Sequence, residues 1–234
     1  MTFQKFILGL VAAFGLPWLA LIVIPFGKMS SLEPVAFDEE LDGRIGNYES
    51  SQVGRVPKGS EVYGANGCYV CHTQVIRPTY AGTEMWRDDW AGQIKNADDK
   101  DTRRESNQYD YARESFAHIG LNRVGQDLSN VGHRIEKRAA DLGYTPEQYI
   151  YQRLLDPRGF IGFHWSTCPS QPQLFRKASA YGQSDELITI ESKDGESKTY
   201  VPGKNARALA SYLLSLKKDN QVPASMSHKP VSAK

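Results

Sequence analysis

The hydrophobic pattern changes character sharply along the chain. From Phe6 to Phe26 the run "FILGLVAAFGLPWLALIVIPF" carries no charge. As a helix it is ~31 Å long at ~1.5 Å per residue, matching the ~30 Å hydrocarbon core of a bilayer. Lys5 and Lys28 flank it, Trp18 and Phe26 suit an interface, and Pro17 is tolerated in a membrane helix but favours a kink. A cleaved signal peptide is the competing reading. Its apolar region is normally shorter and is followed by small residues, whereas "IPFGKMSS" is a poor cleavage site. The pattern therefore predicts an uncleaved single span, residues 1–28.

Beyond the span the pattern is that of short helices joined by long loops. Residues 29–55 are polar and mixed in charge, a linker or strap ending near Pro57. Residues 58–67 read as a short helix. Residues 80–115 are dense in charge and weakly periodic, an inserted surface loop. "TPEQYIYQRLLDP" is a helix with Thr145 as N-cap, Pro146 in its first position, Gln148 closing a capping box and Pro157 stopping it. "DELITIESKDGESKTYVPG" alternates around Asp194-Gly195, a hairpin inside a second insert, residues 176–203. "NARALASYLLSLKK" is a closing helix capped by Asn205, with Leu209, Leu213 and Leu216 on one face. Residues 221–234 read as a flexible tail. There is no internal repeat.

Composition narrows the classes. The 234 residues carry a net charge of +1 and no basic block, which argues against a nucleic-acid partner. Three cysteines are too few for a disulfide scaffold. The charged fraction, 24%, is that of a domain folding in water. The apolar core implied by the pattern is small for residues 56–220, and a buried cofactor would fill it.

"GANGCYVCHTQVIRP" supplies the chemistry. C-x-x-C-H is the attachment signature of c-type haem. Two thiols add to the two vinyl groups on one porphyrin edge, two intervening residues let a helical turn span that edge, and the next histidine supplies the proximal nitrogen. Cys68, Cys71 and His72 take these places. Zinc fits less well, because adjacent Cys-His is awkward in a tetrahedron. A redox dithiol would need a β-α-β context that is missing. Haem attachment takes place on the exported face of bacterial membranes, so the short N-terminus is expected inside and residues 29–234 on the periplasmic side of the inner membrane.

The block Gly67 to Pro78 resembles G-C-Y-x-C-H-[ST]-Q-x-I-R-P of subunit II of cbb3-type cytochrome c oxidases, a membrane-anchored monohaem cytochrome c. "NRVGQDLSNVGHR" and "LLDPRGF" resemble further motifs of that family, as do the junction after the span and "ALASYLLSL", the last two less specifically. The resemblance implies a one-electron relay. It would take electrons from a further cytochrome c subunit or a soluble cytochrome and pass them to the catalytic haem–copper subunit, without catalysing bond chemistry itself. Two positions depart from the family. Gln126 replaces a proline whose carbonyl holds the proximal histidine. Cys168, in "STCPSQP", stands where the family has the methionine that is the sixth iron ligand. His164, Met85 and His133 are alternative ligands, as is a vacant position. Arg77 and Arg123 are candidates for the haem carboxylates, while Trp86, Trp90 and Trp165 read as packing or partner-surface residues.

The expected fold is mainly α: one transmembrane helix, then a cytochrome c-like haem domain with long loops and a small β-hairpin insertion. Rival functions are a relay in another membrane redox complex, a Cys-ligated haem redox enzyme, and a haem-based gas sensor.

Overall fold

The computed structural model describes residues 2–33, 35–36, 47–48, 54–87, 89–112, 114–159, 162–178, 187–191, 197–220 and 222. The architecture is helical with a small sheet, in two compact units. The first unit comprises residues 1–50 and 107–114, the second residues 51–106 and 115–234.

The first unit is dominated by α1, Phe3–Ser30, whose mean hydropathy of 2.5 and length suffice to cross a membrane. The helix is longer than the uncharged run because Lys5 and Lys28 sit in its first and last turns. A π turn, Leu19–Val23, lies between Pro17 and Pro25. These two residues cannot donate to the helical ladder, and slipping one turn to wider hydrogen bonding accommodates them. Two short strands, β1 (Val35–Ala36) and β2 (Asn47–Tyr48), pair antiparallel within the expected strap. Residues Gln108–Tyr111 form a 3-10 turn closed by a capping box from Asn107.

In the second unit, α2 (Arg55–Ala65) begins three residues before the sequence predicts. Pro57 lies in its first turn, where a missing N–H costs nothing. One turn, α3 (Cys68–Cys71), follows after Gly67, whose φ of 68° favours glycine. The next helix, α4 (Val131–Leu142), was not read from the sequence. It stops at Gly143 in the left-handed region. Helix α5 (Pro146–Leu155) has the predicted Thr145–Gln148 capping box. Strands β3 (Phe175–Lys177), β4 (Ile188–Glu191) and β5 (Ser197–Pro202) form an antiparallel sheet in the order β3-β5-β4. Ile188 pairs with Tyr200 and Phe175 with Pro202. The predicted hairpin is thus joined by an unforeseen third strand, and its turn at Asp194-Gly195 lies outside the described residues, as does nearly all of the expected tail. Helix α6 (Lys204–Ser215) has Gly203 in the N-cap position, two residues earlier than the expected Asn205.

The core gathers where α2 and α6 cross. Gly59 makes the crossing close: a Cβ there would sit 2.1 Å from the Ala208 carbonyl oxygen. Val62, Tyr63, Leu209 and Tyr212 fill the space around the crossing, and α4 and α5 add Ile135, Ala139 and Ile150. The expected surface loop, residues 80–115, is tied in more firmly than its charge implies. Arg104 is fully buried and donates to the Asn220 carbonyl, and Thr102 donates to Asp219 at 2.7 Å. Charge density alone misreads such a segment because its ions are paired with backbone and side chains inside.

Candidate functional site

A cavity of about 360 Å³ opens in the second unit between α3, the 124–128 loop, α4, α5 and the 163–171 loop. Cys68, Cys71, His72, Gln126 and Cys168 all line it. The three cysteines are free. Val124, Leu128, Val131, Ile135, Ile150, Leu154, Phe163 and Leu213 make most of the wall apolar.

His72 is held from two sides. Its Nδ1 lies 2.7 Å from the Gln126 carbonyl oxygen, so the tautomer that donates there leaves Nε2 with its lone pair free. The contact uses the backbone carbonyl of Gln126 and not its side chain. Burial pushes the His72 pKa below the ordinary histidine range and so favours the neutral ring, opposed by the bond to the Gln126 carbonyl. Gly125 gives the ring its room: a Cβ would lie 2.2 Å from Cε1. On the other side of the peptide, a Cβ at Gly120 would meet the His72 carbonyl oxygen at 2.4 Å.

Backbone bonds lock the two loops together. Gly125 donates to the Cys71 carbonyl and Leu128 to that of Thr73, each at 2.8 Å. Asp127, fully buried, completes the lock. Its carboxylate accepts from Thr73 Oγ1 at 2.7 Å, from the Val75 amide at 2.9 Å and from the Ser129 amide at 2.8 Å. Sequence reasoning passed over Asp127, although it stands next to Gln126 in the quoted motif.

The cavity wall carries three guanidinium groups, Arg134, Arg138 and Arg153, and no Asp or Glu. Arg134 is 6% exposed. It donates to the backbone carbonyls of Asp89, at 2.8 Å, and Asp127, while its buried Nε has no partner. Burial pulls its pKa down to about 10, which still leaves it cationic at neutral pH. Arg153 stacks on Phe163 with its carbon 3.8 Å from the ring centroid, and Arg138 approaches the same ring at 5.5 Å. Arg134 and Arg138 were not singled out from sequence because α4 was not recognised, and Arg153, on the predicted α5, was passed over. The i, i+4 spacing of Arg134 and Arg138 was the available signal.

Other expected site residues lie elsewhere. Arg77 is turned to Glu84 at 2.7 Å and does not line the cavity, and Arg123 binds the same carboxylate and the Val75 carbonyl. Buried Glu84 collects both cations because an unpaired carboxylate there would be costly. Met85 is 3% exposed in a separate cluster with Ile76 and Ala91. His164 is exposed and off the wall, although Phe163 and Trp165 on either side line it. His133 bonds Asp219 at 3.0 Å. Trp90 stacks on Arg87 at 4.3 Å and is a packing residue.

Burial favours the protonated thiol at Cys68 and Cys168. Burial pushes the Cys68 thiol up to about 11, with Cys168 and Cys71 adding repulsion. Burial also raises Cys168, opposed by Arg153. Among the described residues no group of three or more His, Cys, Asp or Glu could hold a metal ion, which leaves a zinc reading without its ligands there. No family model and no curated protein matches the chain.

The lining is suited to a large apolar ligand that bears anionic groups and meets two thiols and an imidazole. A haem with two carboxylates has that chemistry. Cys68, Cys71 and His72 would hold it, and Arg134, with its unpartnered Nε, would meet a carboxylate.

Proposed function

We propose that the chain is a membrane-anchored monohaem cytochrome c, an electron-transfer subunit of a cbb3-type oxidase. The observation that carries the cofactor reading is the single cavity that joins Cys68, Cys71 and the open Nε2 of His72 to an acid-free wall with three arginines. When bound, the haem supplies a reversible one-electron couple. The chain's own residues fix everything else. Gln126 orients the imidazole, Asp127 holds the two loops that carry His72 and Gln126, and the apolar wall excludes water. The arginines neutralise charge that the interior would otherwise resist. Helix α1 supports single-pass attachment to a membrane, and the requirement for exported haem attachment puts the second unit on the periplasmic side. The oxidase assignment rests on the resemblance of Gly67 to Pro78.

The test is the mass of the full chain made in a bacterium that attaches c-type haem. One covalent haem is expected, and none in the Cys68→Ala/Cys71→Ala variant. An unshifted mass overturns the cofactor reading. Purification from the native membrane then tests the partner: a haem–copper catalytic subunit is expected with the chain, and a complex lacking one refutes the oxidase assignment.

A further inference from the structure

The geometry points to Cys168 as the second protein ligand of the iron, giving a His/Cys haem where the resembling family has His/Met. This inference rests on the cofactor reading above. It follows from what the cavity wall contains. Once Cys68 and Cys71 are joined to the porphyrin and His72 binds below, the remaining strong iron donor on the wall is the Cys168 sulfur. Every rival named from sequence is engaged or absent from the wall. Met85 is packed in another cluster, His164 points to solvent, and His133 is bound to Asp219. Two phenols also reach the cavity. Tyr63 already donates to the His72 carbonyl at 3.4 Å, and burial raises its pKa. Tyr149 sits on α5.

The loop bearing Cys168 is braced at both ends. Its amide is bonded to Ser166 Oγ at 3.3 Å, the Gln171 amide donates to the Leu154 carbonyl at 2.8 Å, and Ser170 donates to that of Leu155. In the absence of a stronger acceptor the Cys168 S–H is directed to its neighbour's carbonyl at 3.7 Å, a weak contact that ligation would replace. Arg134, on the same wall with a buried and unpartnered Nε, independently marks the cavity as built for a ligand. The step balances without a redox partner. Cys168 would give up its S–H proton to water and offer its sulfur lone pair to ferric iron, with no change in oxidation state.

The experiment uses the full-length chain, detergent-purified after covalent haem attachment, in its ferric state. Electron paramagnetic resonance is expected to show a low-spin signal with the narrow g spread of thiolate ligation. Cys168→Ala should convert it to another species. Cys168→Met should create the near-infrared methionine-to-iron band and shift the midpoint potential upward, because a thioether donates less charge than a thiolate. Cys168→Met preserves side-chain bulk and keeps the test alive if the alanine variant fails to fold. A chain with covalent haem whose spectrum is indifferent to both substitutions overturns this inference alone and points to Tyr149 or an open position. A chain whose mass shows no haem overturns the cofactor reading and this inference with it.

Discussion

Substituting Gly125 by alanine tests whether space for the His72 ring is the fold's requirement at that position. Gly125 has no positive φ, so conformational strain is not involved. The new Cβ would stand 2.2 Å from Cε1, 2.5 Å from Nδ1 and 2.7 Å from Nε2. Ordinary contact begins near 3.4 Å, so ring or loop must move by 3.4 − 2.2 = 1.2 Å. If the ring swings, the 2.7 Å bond to the Gln126 carbonyl is lost. If the loop retreats, the 2.8 Å bond from Gly125 to Cys71 is lost. Either route forfeits about 1 kcal/mol of hydrogen bonding and adds about 1–3 kcal/mol of overpacking. The sum, about 2–4 kcal/mol, lowers Tm by roughly 4–16 °C in a domain of this size. Thermal unfolding of parent and variant, followed by circular dichroism in one detergent, reads the shift. The misplaced imidazole should also weaken haem iron ligation by about tenfold or more. A variant that melts within about 1 °C of the parent, with the His72 ring unmoved by nuclear magnetic resonance, would refute the reasoning.

Three further outcomes are expected. Gly59→Ala should destabilise the second unit by about 1–3 kcal/mol in denaturant unfolding, because backbone at Ala208 blocks the new Cβ and outweighs the ~1 kcal/mol helix-propensity gain of alanine. Burial pushes the pKa of His118, 9% exposed, below the ordinary range, opposed by its bond to the Ser60 carbonyl. An unfolded His118 therefore binds protons first, so its contribution is full above about pH 6.5 and falls as the pH drops. His118→Gln should flatten that part of the stability–pH curve, and an unchanged slope between parent and variant would count against it. On the proposed cofactor reading, Arg134→Met should lower the haem midpoint potential, because a buried cation that favours the reduced, less positive state is lost, while Arg77→Met leaves it unchanged because Arg77 serves Glu84.

The parts legible in sequence were those set by local rules. The α5 capping box depends on residues three apart, and the single span on an uninterrupted apolar run. The capping box and the β4–β5 pairing stand as read, and the apolar run forms a helix long and apolar enough to cross a membrane. The juxtaposition of Cys168 with Cys68, Cys71 and His72 was reachable through the family motif order, not through local pattern. What escaped was decided by distant partners. Helix α4 opens on "VGHRIEKR", whose apolar positions are sparse because Gly132 packs against the Leu214 carbonyl and Arg134 spends its charge inside. Arg77 looked like a cofactor residue until Glu84, seven positions on, proved to be its carboxylate. No sequence rule ties buried Arg104 to Asn220.

The chain positions of the cavity's walls also set an order of events. Cys68 to His72 emerge early in synthesis, the 124–128 loop and α4 later, the Cys168 loop later still, and α6, which closes on Gly59, near the end. Chains fold as they grow, at about 5–20 residues per second, but contacts this distant in sequence form late. Cys68 and Cys71, the attachment points on the proposed reading, therefore spend seconds accessible before any wall exists to enclose them. A group that must be joined covalently to both sulfurs meets an open strand, and the fold then assembles around it.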